Sequence, residues 1–198
     1  MFPFIETIRI ENGVIHNLPY HNLRMNATRK EVYGLSKPVD LADFIRPELS
    51  QARTKCRVEY AEDIIGITYT SYQMRPVSSL RLVVDDTADY RYKSTDRTFL
   101  NNLLERRGDC DDILIVRNGL LTDTSICNVA LWDGGIWITP ARPLLCGTMR
   151  ASLLETGRIV PADISVEDLH KYPRIRLFNA LIGFGELEIK TEYLLPYY

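Results

Sequence analysis

The chain has 198 residues, 45% hydrophobic and 25% charged, and a net charge of −2, which is the composition of an ordinary globular protein. That balance gives no electrostatic basis for nucleic acid or an anionic membrane as partner, and no apolar run approaches the roughly 18–20 residues that span a bilayer. The opening "MFPFIETIRI" lacks a basic region followed by an apolar stretch and a cleavage site, so a cytoplasmic protein is expected.

In chain order, Phe4–Ile10 and Val14–Leu18 flank "ENG", a hairpin signal, and Pro19 ends the second run. "YHNLRMNATRKEVYG" spaces Leu23, Ala27 and Val32 as in a helix, with Gly34 as its stop. "KPVDLADFIRPELSQA" predicts another helix from near Asp40, bent at Pro47. Residues 56–60, 64–72 and 80–84 read as strands of an antiparallel sheet, and "DDTADYRYKSTDR" reads as a polar loop. Thr98–Arg107 reads as a helix before Gly108, and "DILIV" as a short buried strand. "RNG" then turns the chain into "LLT", and "NVALWDGGIWITP" predicts a second hairpin. "TMRASLLETG" is a helix ended by Gly157, "SVEDLHKY" a short one, and "RIRLFNALIGFGELEI" closes the core with strands. The fold class is α+β, with a boundary in a linker at 85–92 that separates residues 1–84 from 93–198.

Cys56, Cys110, Cys127 and Cys146 form no C-x-x-C pair, so buried reduced thiols are expected rather than disulfides or metal ligands. His16, His21 and His170 are too scattered to suggest a metal cluster. Four other positions carry chemistry, each with a plain structural alternative. Asp123 falls in a strand-like run after "NG", where a carboxylate costs several kcal/mol unless it is paired; it is either a turn aspartate bonded to nearby backbone or the partner of a buried cation. Lys93 precedes a helix. It is either a solvated loop lysine or an amine nucleophile, and the latter must be neutral, whereas a free lysine is only about one part in a few thousand neutral at pH 7. Gly147-Thr148 opens a helix and is either a plain cap or an anion site. Arg24 is either a solvent-facing helix residue or a guanidinium fork for phosphate.

The order of these signals, with Asp123 30 positions after Lys93 and Gly147 24 positions further on, resembles the class-IV aminotransferase family, the fold-type IV pyridoxal 5′-phosphate (PLP) enzymes. That family includes branched-chain aminotransferase, D-amino-acid aminotransferase and aminodeoxychorismate lyase. "FIETIRI" looks like its "F-E-x-I-R" strand and "HNLRM" like its "H-L-x-R-L" helix, whose arginine binds the cofactor phosphate and falls on Arg24. The Schiff-base lysine falls on Lys93 in "YKSTDR". "GLLTDTSICNV" matches "G-x-V-x-E-x-x-x-x-N-hydrophobic", which places the acid of the pyridine nitrogen on Asp123 and the following asparagine on Asn128. "LCGTMR" matches "L-P-G-I-T-R", so Gly147 and the amides of Thr148 and Met149 would hold phosphate. "FNAL", with Asn179 and Ala180, is closest to the "C-N-A-L" of the lyase branch.

The resemblance implies a two-lobed D-amino-acid-aminotransferase-like fold: an N-terminal α/β sandwich and a C-terminal, β-barrel-like, cofactor-binding lobe. It implies PLP as cofactor, a small amino-bearing substrate, and a homodimer. Lys93 would form the internal aldimine and shuttle protons, in an aminodeoxychorismate lyase-like reaction or an amino-acid transamination. A shortened homologue that binds PLP with little or no turnover is the reading of another class, and a purely structural α+β domain is a third. The pattern departs from the family in four respects: the usual N-terminal segment is lacking, aspartate stands for glutamate at 123, Cys146 stands for proline, and 57–80 matches poorly. In that last region Arg57, Arg75 and Arg81 are candidates for a substrate carboxylate only by being arginines near the expected sheet.

Overall fold

The computed structural model describes residues 2–47 and 52–196. Its first strand, β1 (Phe4–Glu11), alternates strictly between buried and half-buried positions, the period-2 pattern of a strand with one face on a core. Around Asn12-Gly13 it turns into the two-residue β2 (Val14–Ile15), and Leu18 belongs not to this hairpin, as expected, but to the next element. Helix α1 (Leu18–Tyr33) begins there because Pro19 suits a first turn, and it ends at Gly34, whose φ of 72° lets its N–H reach back to the Lys30 carbonyl. His21, Met25, Thr28 and Arg29 form its buried stripe.

The second expected helix reduces to a single 3₁₀ turn, Leu41–Asp43, which Asp40 caps by accepting from the Ala42 N–H. Residues 48–51 of that expectation lie outside the described residues. Strands β3 (Thr54–Tyr60) and β4 (Ile64–Ser71) complete an antiparallel sheet in the order β2-β1-β3-β4. Phe4, Ile8, Met25, Val58 and Tyr60 share its core.

β5 (Leu80–Val84), expected in that sheet, instead runs parallel to β6 (Asp112–Arg117), and α2 (Thr98–Glu105) is the helix in between. Leu100 and Leu103 of α2 pack on Ile113 and Ile115 of β6. β6 turns at Asn118-Gly119, both at positive φ, into antiparallel β7 (Leu120–Thr124). β8 (Asn128–Trp132) and β9 (Trp137–Pro140) form the second hairpin, α3 (Thr148–Glu155) follows, and β10 (Val160–Ala162) runs parallel to β9. β11 (Arg174–Phe178) and β12 (Glu188–Lys190) finish a sheet ordered β10-β9-β8-β11-β12. The stretch between β11 and β12, expected as strand, is a series of turns.

Two compact units result. The first comprises Met1–Met74 with Tyr92–Asp96, the second Arg75–Arg91 with Arg97–Tyr198. This division differs from the expected 1–84, 85–92 and 93–198. β5 joins the second unit because its ladder partner is β6, and residues 92–96 return to the first because Ser94 bridges to Phe4 and Lys93 O accepts from Ile5 N. Among the described residues the strands of the second unit form two open sheets, β10-β9-β8-β11-β12 and β13-β5-β6-β7, where β13 is Leu194–Leu195. No described helix is long and apolar enough to cross a membrane.

Candidate functional site

In the first unit, the inward face of β1 carries one acid among its apolar residues. Glu6 is fully buried, and its Oε2 accepts from His21 Nδ1 at 2.6 Å and Arg24 Nη2 at 2.6 Å, while Oε1 accepts from Arg24 Nε at 2.9 Å. α1 supplies both partners from one stripe, three residues apart. Burial opposes ionisation of Glu6, yet the charge of Arg24 and the bonds from His21 and Arg24 prevail and bring its pKa down to about 2. For His21 burial is the largest influence and lowers the pKa; the Glu6 bond raises it, and the positive charges of Arg24 and Lys93 lower it further. His21 is therefore a neutral imidazole at pH 7 that donates to Glu6, not an ion-pair partner. Lys93 stands half-buried on the stretch that pairs with the start of β1. Its carbonyl accepts from Ile5 N, and Thr95 N and Oγ1 both donate to Pro3 O.

In the second unit, Asp123 lies on β7 and is only 6% exposed. Its Oδ1 accepts from Asn128 Nδ2 at 2.8 Å and its Oδ2 from Leu145 N at 2.8 Å. Burial is the dominant influence and pushes its pKa up to about 6, against those two bonds and the positive charge of Arg150. The loop that supplies Leu145 runs through Gly147, the cap of α3, and Ala151 N donates to the Gly147 carbonyl as the helix begins. Helix-start N–H groups lack intrahelical acceptors, the property that lets such an end receive an anion. Gly147 has no room for a side chain: a Cβ there would stand 1.9 Å from Asn128 Oδ1. Arg150, one turn in, is buried and donates to the Pro140 carbonyl, and its Nε has no hydrogen-bond partner among the described residues.

Asn179 joins this neighbourhood from the end of β11. Its Nδ2 donates to Ile126 O, and its Oδ1 accepts from Leu181 N and Ile182 N; Ala180 is half-buried beside it. Met149 packs its side chain on the apolar cluster under α3. Asp123, Asn128, Gly147, Thr148 and Met149 are thus brought together in one unit, with Asn179 tied to the β7–β8 loop, while Arg24 and Lys93 belong to the other unit. Three arginines considered for a substrate carboxylate have local partners: Arg57 pairs with Glu59, and Arg75 and Arg81 donate to the carbonyls of Asp111 and Pro196. Cys56, Cys110 and Cys127 are buried as expected, but Cys146 is exposed, because it sits in the loop before α3. Among the described residues no group of three or more His, Cys, Asp or Glu side chains is arranged to hold a metal ion.

Three residues of these clusters, Glu6, His21 and Arg97, are not among the expected site residues, although the first two lie within the matched stretches "FIETIRI" and "HNLRM". Glu6 and His21 surround Arg24, and the available signal was a carboxylate in phase with Phe4, Ile8 and Ile10 on the buried face. Arg97, four residues after Lys93, donates to the Ser125 carbonyl and lies over the Tyr90 ring. The burial of Asp123 has a direct spectroscopic consequence. In ¹³C-carboxylate NMR of the ligand-free protein, one aspartate is expected to titrate near pH 6, and that resonance should be missing in Asp123→Asn. A midpoint near the ordinary aspartate value would contradict the burial described above.

Comparison with known proteins identifies the family of the chain. The family model described as amino-transferase class IV matches residues 64–187. A crystal structure of a Haemophilus somnus protein, provisionally named 4-amino-4-deoxychorismate lyase, is 39% identical with a TM-score of 0.84, and covers 92% of this chain and 98% of that one. A Schizosaccharomyces pombe protein with the provisional name aminodeoxychorismate lyase is 28% identical over 91% of this chain and 88% of its own length. The PLP-bound form of a hypothetical aminotransferase from Mycobacterium tuberculosis shares the fold at a TM-score of 0.76 and 15% identity, over 94% of this chain and 80% of that one. The chain belongs to the class-IV aminotransferase family and has its fold-type IV architecture.

Proposed function

We propose that the protein is a PLP-dependent enzyme that acts on a small amino-bearing substrate, with chemistry of the aminodeoxychorismate lyase kind. The observation that carries this reading is Asp123, a buried carboxylate held by two donors and joined through Leu145 to the glycine-capped start of α3. These residues fit the group. A pyridine ring nitrogen calls for an acid with its charge kept out of water, and a phosphate calls for N–H donors at a helix start with no side chain in the way. Asp123 supplies the first, and Gly147, Thr148 and Met149 the second. Aspartate is shorter by one methylene than the family's glutamate, and here the 145–147 loop closes directly onto it.

When bound, PLP would supply an electron sink for the bonds at the substrate α-carbon. In this reading the Lys93 amine would hold the cofactor and would be the group that moves the proton at the substrate α-carbon. Asp123 keeps a proton on the ring nitrogen. In the first unit Arg24, oriented by Glu6, would serve a phosphate, and in the second unit the amides of Thr148 and Met149 would do so, with Asn128, Asn179 and Ala180 as their surroundings. The provisional names of the H. somnus and S. pombe proteins favour the lyase branch over amino-acid transamination. A cytoplasmic homodimer belongs to the same reading.

The deciding measurement is the absorbance spectrum of the purified protein with and without added PLP. A band at roughly 410–430 nm is expected for lysine-bound PLP. A protein that stays colourless and takes up no PLP would sink the proposal and leave a homologue without cofactor chemistry. Where the band appears, pyruvate release from aminodeoxychorismate marks the lyase, and loss of the band with amino donors plus keto-acid exchange marks a transaminase.

A further inference from the structure

Asn128 makes contacts that binding a cofactor would not require. It opens β8 with only 6% exposure, and its amide nitrogen donates both to Asp123 Oδ1 at 2.8 Å and to the Leu145 carbonyl at 2.9 Å. Leu145 N in turn donates to Asp123 Oδ2 at 2.8 Å. A carboxylate, one side-chain amide and one residue of backbone thereby form a closed ring of three hydrogen bonds. The amide oxygen of Asn128 occupies the space beside Gly147, 1.9 Å from where a Cβ would stand. Gly147 itself has φ −69° and ψ 144°, backbone that any L-residue adopts. The missing side chain at 147 is therefore demanded by Asn128 and not by the backbone.

Only asparagine meets both demands at this length. Its NH₂ offers two in-plane donors. Aspartate would set a second carboxylate against Asp123, and leucine would fill the space with no donor. We propose that Asn128 is the positioning residue of the site: it sets the carboxylate of Asp123 and, through the same amide, holds the 145–147 segment so that Gly147 delivers the start of α3 beside it. The consequence for a cofactor rests on the reading of Asp123 as partner of the PLP ring nitrogen; the positioning itself is a property of the ligand-free chain. The other charged or titratable groups that act on Asp123 or are acted on by it are Arg150, which lowers its pKa, and the buried Cys127, whose thiol is pushed up to about 12, mainly by burial.

The test uses Asn128→Ala, the near-isosteric Asn128→Leu, Gly147→Ala and the double variant Asn128→Ala/Gly147→Ala. In the ligand-free protein the Asp123 carboxyl is expected to titrate higher in both Asn128 variants than in the wild type, since each loses a donor to the charged form. A residue that merely fills space would leave that midpoint unmoved in the near-isosteric Asn128→Leu, which keeps the volume without a donor or a charge. Gly147→Ala is expected to lower Tm in the wild-type background and to cost far less in the Asn128→Ala background, where the obstructing amide is gone, a coupling that the double-mutant cycle reads directly. With PLP, Kd is expected to rise about 10- to 100-fold in Asn128→Ala, the scale of one charge-assisted hydrogen bond. An unchanged carboxyl midpoint, or an equal cost of Gly147→Ala in both backgrounds, overturns the proposal. If the wild type takes up no PLP, the enzymatic reading fails alone, and the titration and the cycle still decide the role of Asn128.

Discussion

Lys93→Ala is expected to remove the visible band of bound PLP and to lower activity by at least about 10²–10⁴-fold, the usual worth of a positioned acid–base group, with loss of the nucleophile added to it. The folded state should survive. The loop around Lys93 is held by backbone, with its carbonyl accepting from Ile5 N and Thr95 tied to Pro3, and alanine keeps every one of those bonds. Lys93→Arg makes the sharper control: it retains the positive charge that lowers the pKa of His21 but cannot deprotonate to attack a carbonyl. Both variants should therefore be colourless, with circular dichroism that shows the fold retained. A band of normal intensity in either would move the nucleophile to another residue.

Glu6→Gln is expected to destabilise the first unit by about 3–5 kcal/mol, the cost of removing one partner of a buried ion pair. The depression of the Glu6 pKa from 4.5 to about 2 independently corresponds to about 3 kcal/mol. The substituted amide could still accept one bond, but Arg24, its side chain only 15% exposed, would lose the charge that compensates its burial. Urea unfolding at pH 7 reads the loss as a lower midpoint with unchanged m; a change below about 1 kcal/mol would refute this account of the pair. Loosening of Arg24 should also weaken PLP binding.

The same groups set the pH dependence, with opposite signs in the two units. Glu6 has a depressed folded pKa, so its contribution is present above 4.5 and is lost as the pH falls towards 2. His21 is neutral and buried with its pKa below 6.5, so the unfolded chain gains protons first and stability falls as the pH drops below 6.5. Asp123 has a folded pKa raised from 3.8 to about 6. The folded form then binds the extra proton, so the second unit gains stability as the pH falls from about 6 towards 3.8. Hydrogen exchange of amides in β1 and α1, compared with those in β7 and β8, should show the two trends separately, and Glu6→Gln should remove the loss below pH 4.5 from the first, keep the part due to His21, and leave the second unchanged.

Much of this is legible along the chain because it depends on neighbours in sequence. The alternation of "FIETIRIE" reads as a strand from side-chain period alone, Pro19 and Gly34 delimit α1 through their own backbone preferences, and Asn118-Gly119 requires the positive φ values of a tight hairpin. The order Lys93, Asp123, Gly147 likewise carries the family resemblance without any tertiary information. The expected helix after Asp40 is a single 3₁₀ turn whose following residues, Phe44 and Ile45, are not helical. Local spacing there suggests more than the segment forms.

What the sequence determined by itself, then, is the set of elements and the chemical inventory: a lysine before a helix, an acid after a hairpin turn, a glycine at a helix start. The tertiary structure alone decided partnership. β5 pairs in parallel with β6 rather than extending the first sheet, and the described strands of the second unit are ordered as two open sheets, β10-β9-β8-β11-β12 and β13-β5-β6-β7. Arg24 and His21 of α1 meet Glu6 of β1 across the helix–sheet contact, and Asn128 closes a ring with Asp123 and Leu145 over separations of 5 and 17 positions. The physical reason is common to all of these. Propensity, capping and turn geometry act within a few residues, whereas ladder choice, burial and the pKa values that follow from it are sums over groups distant in sequence and adjacent only after folding.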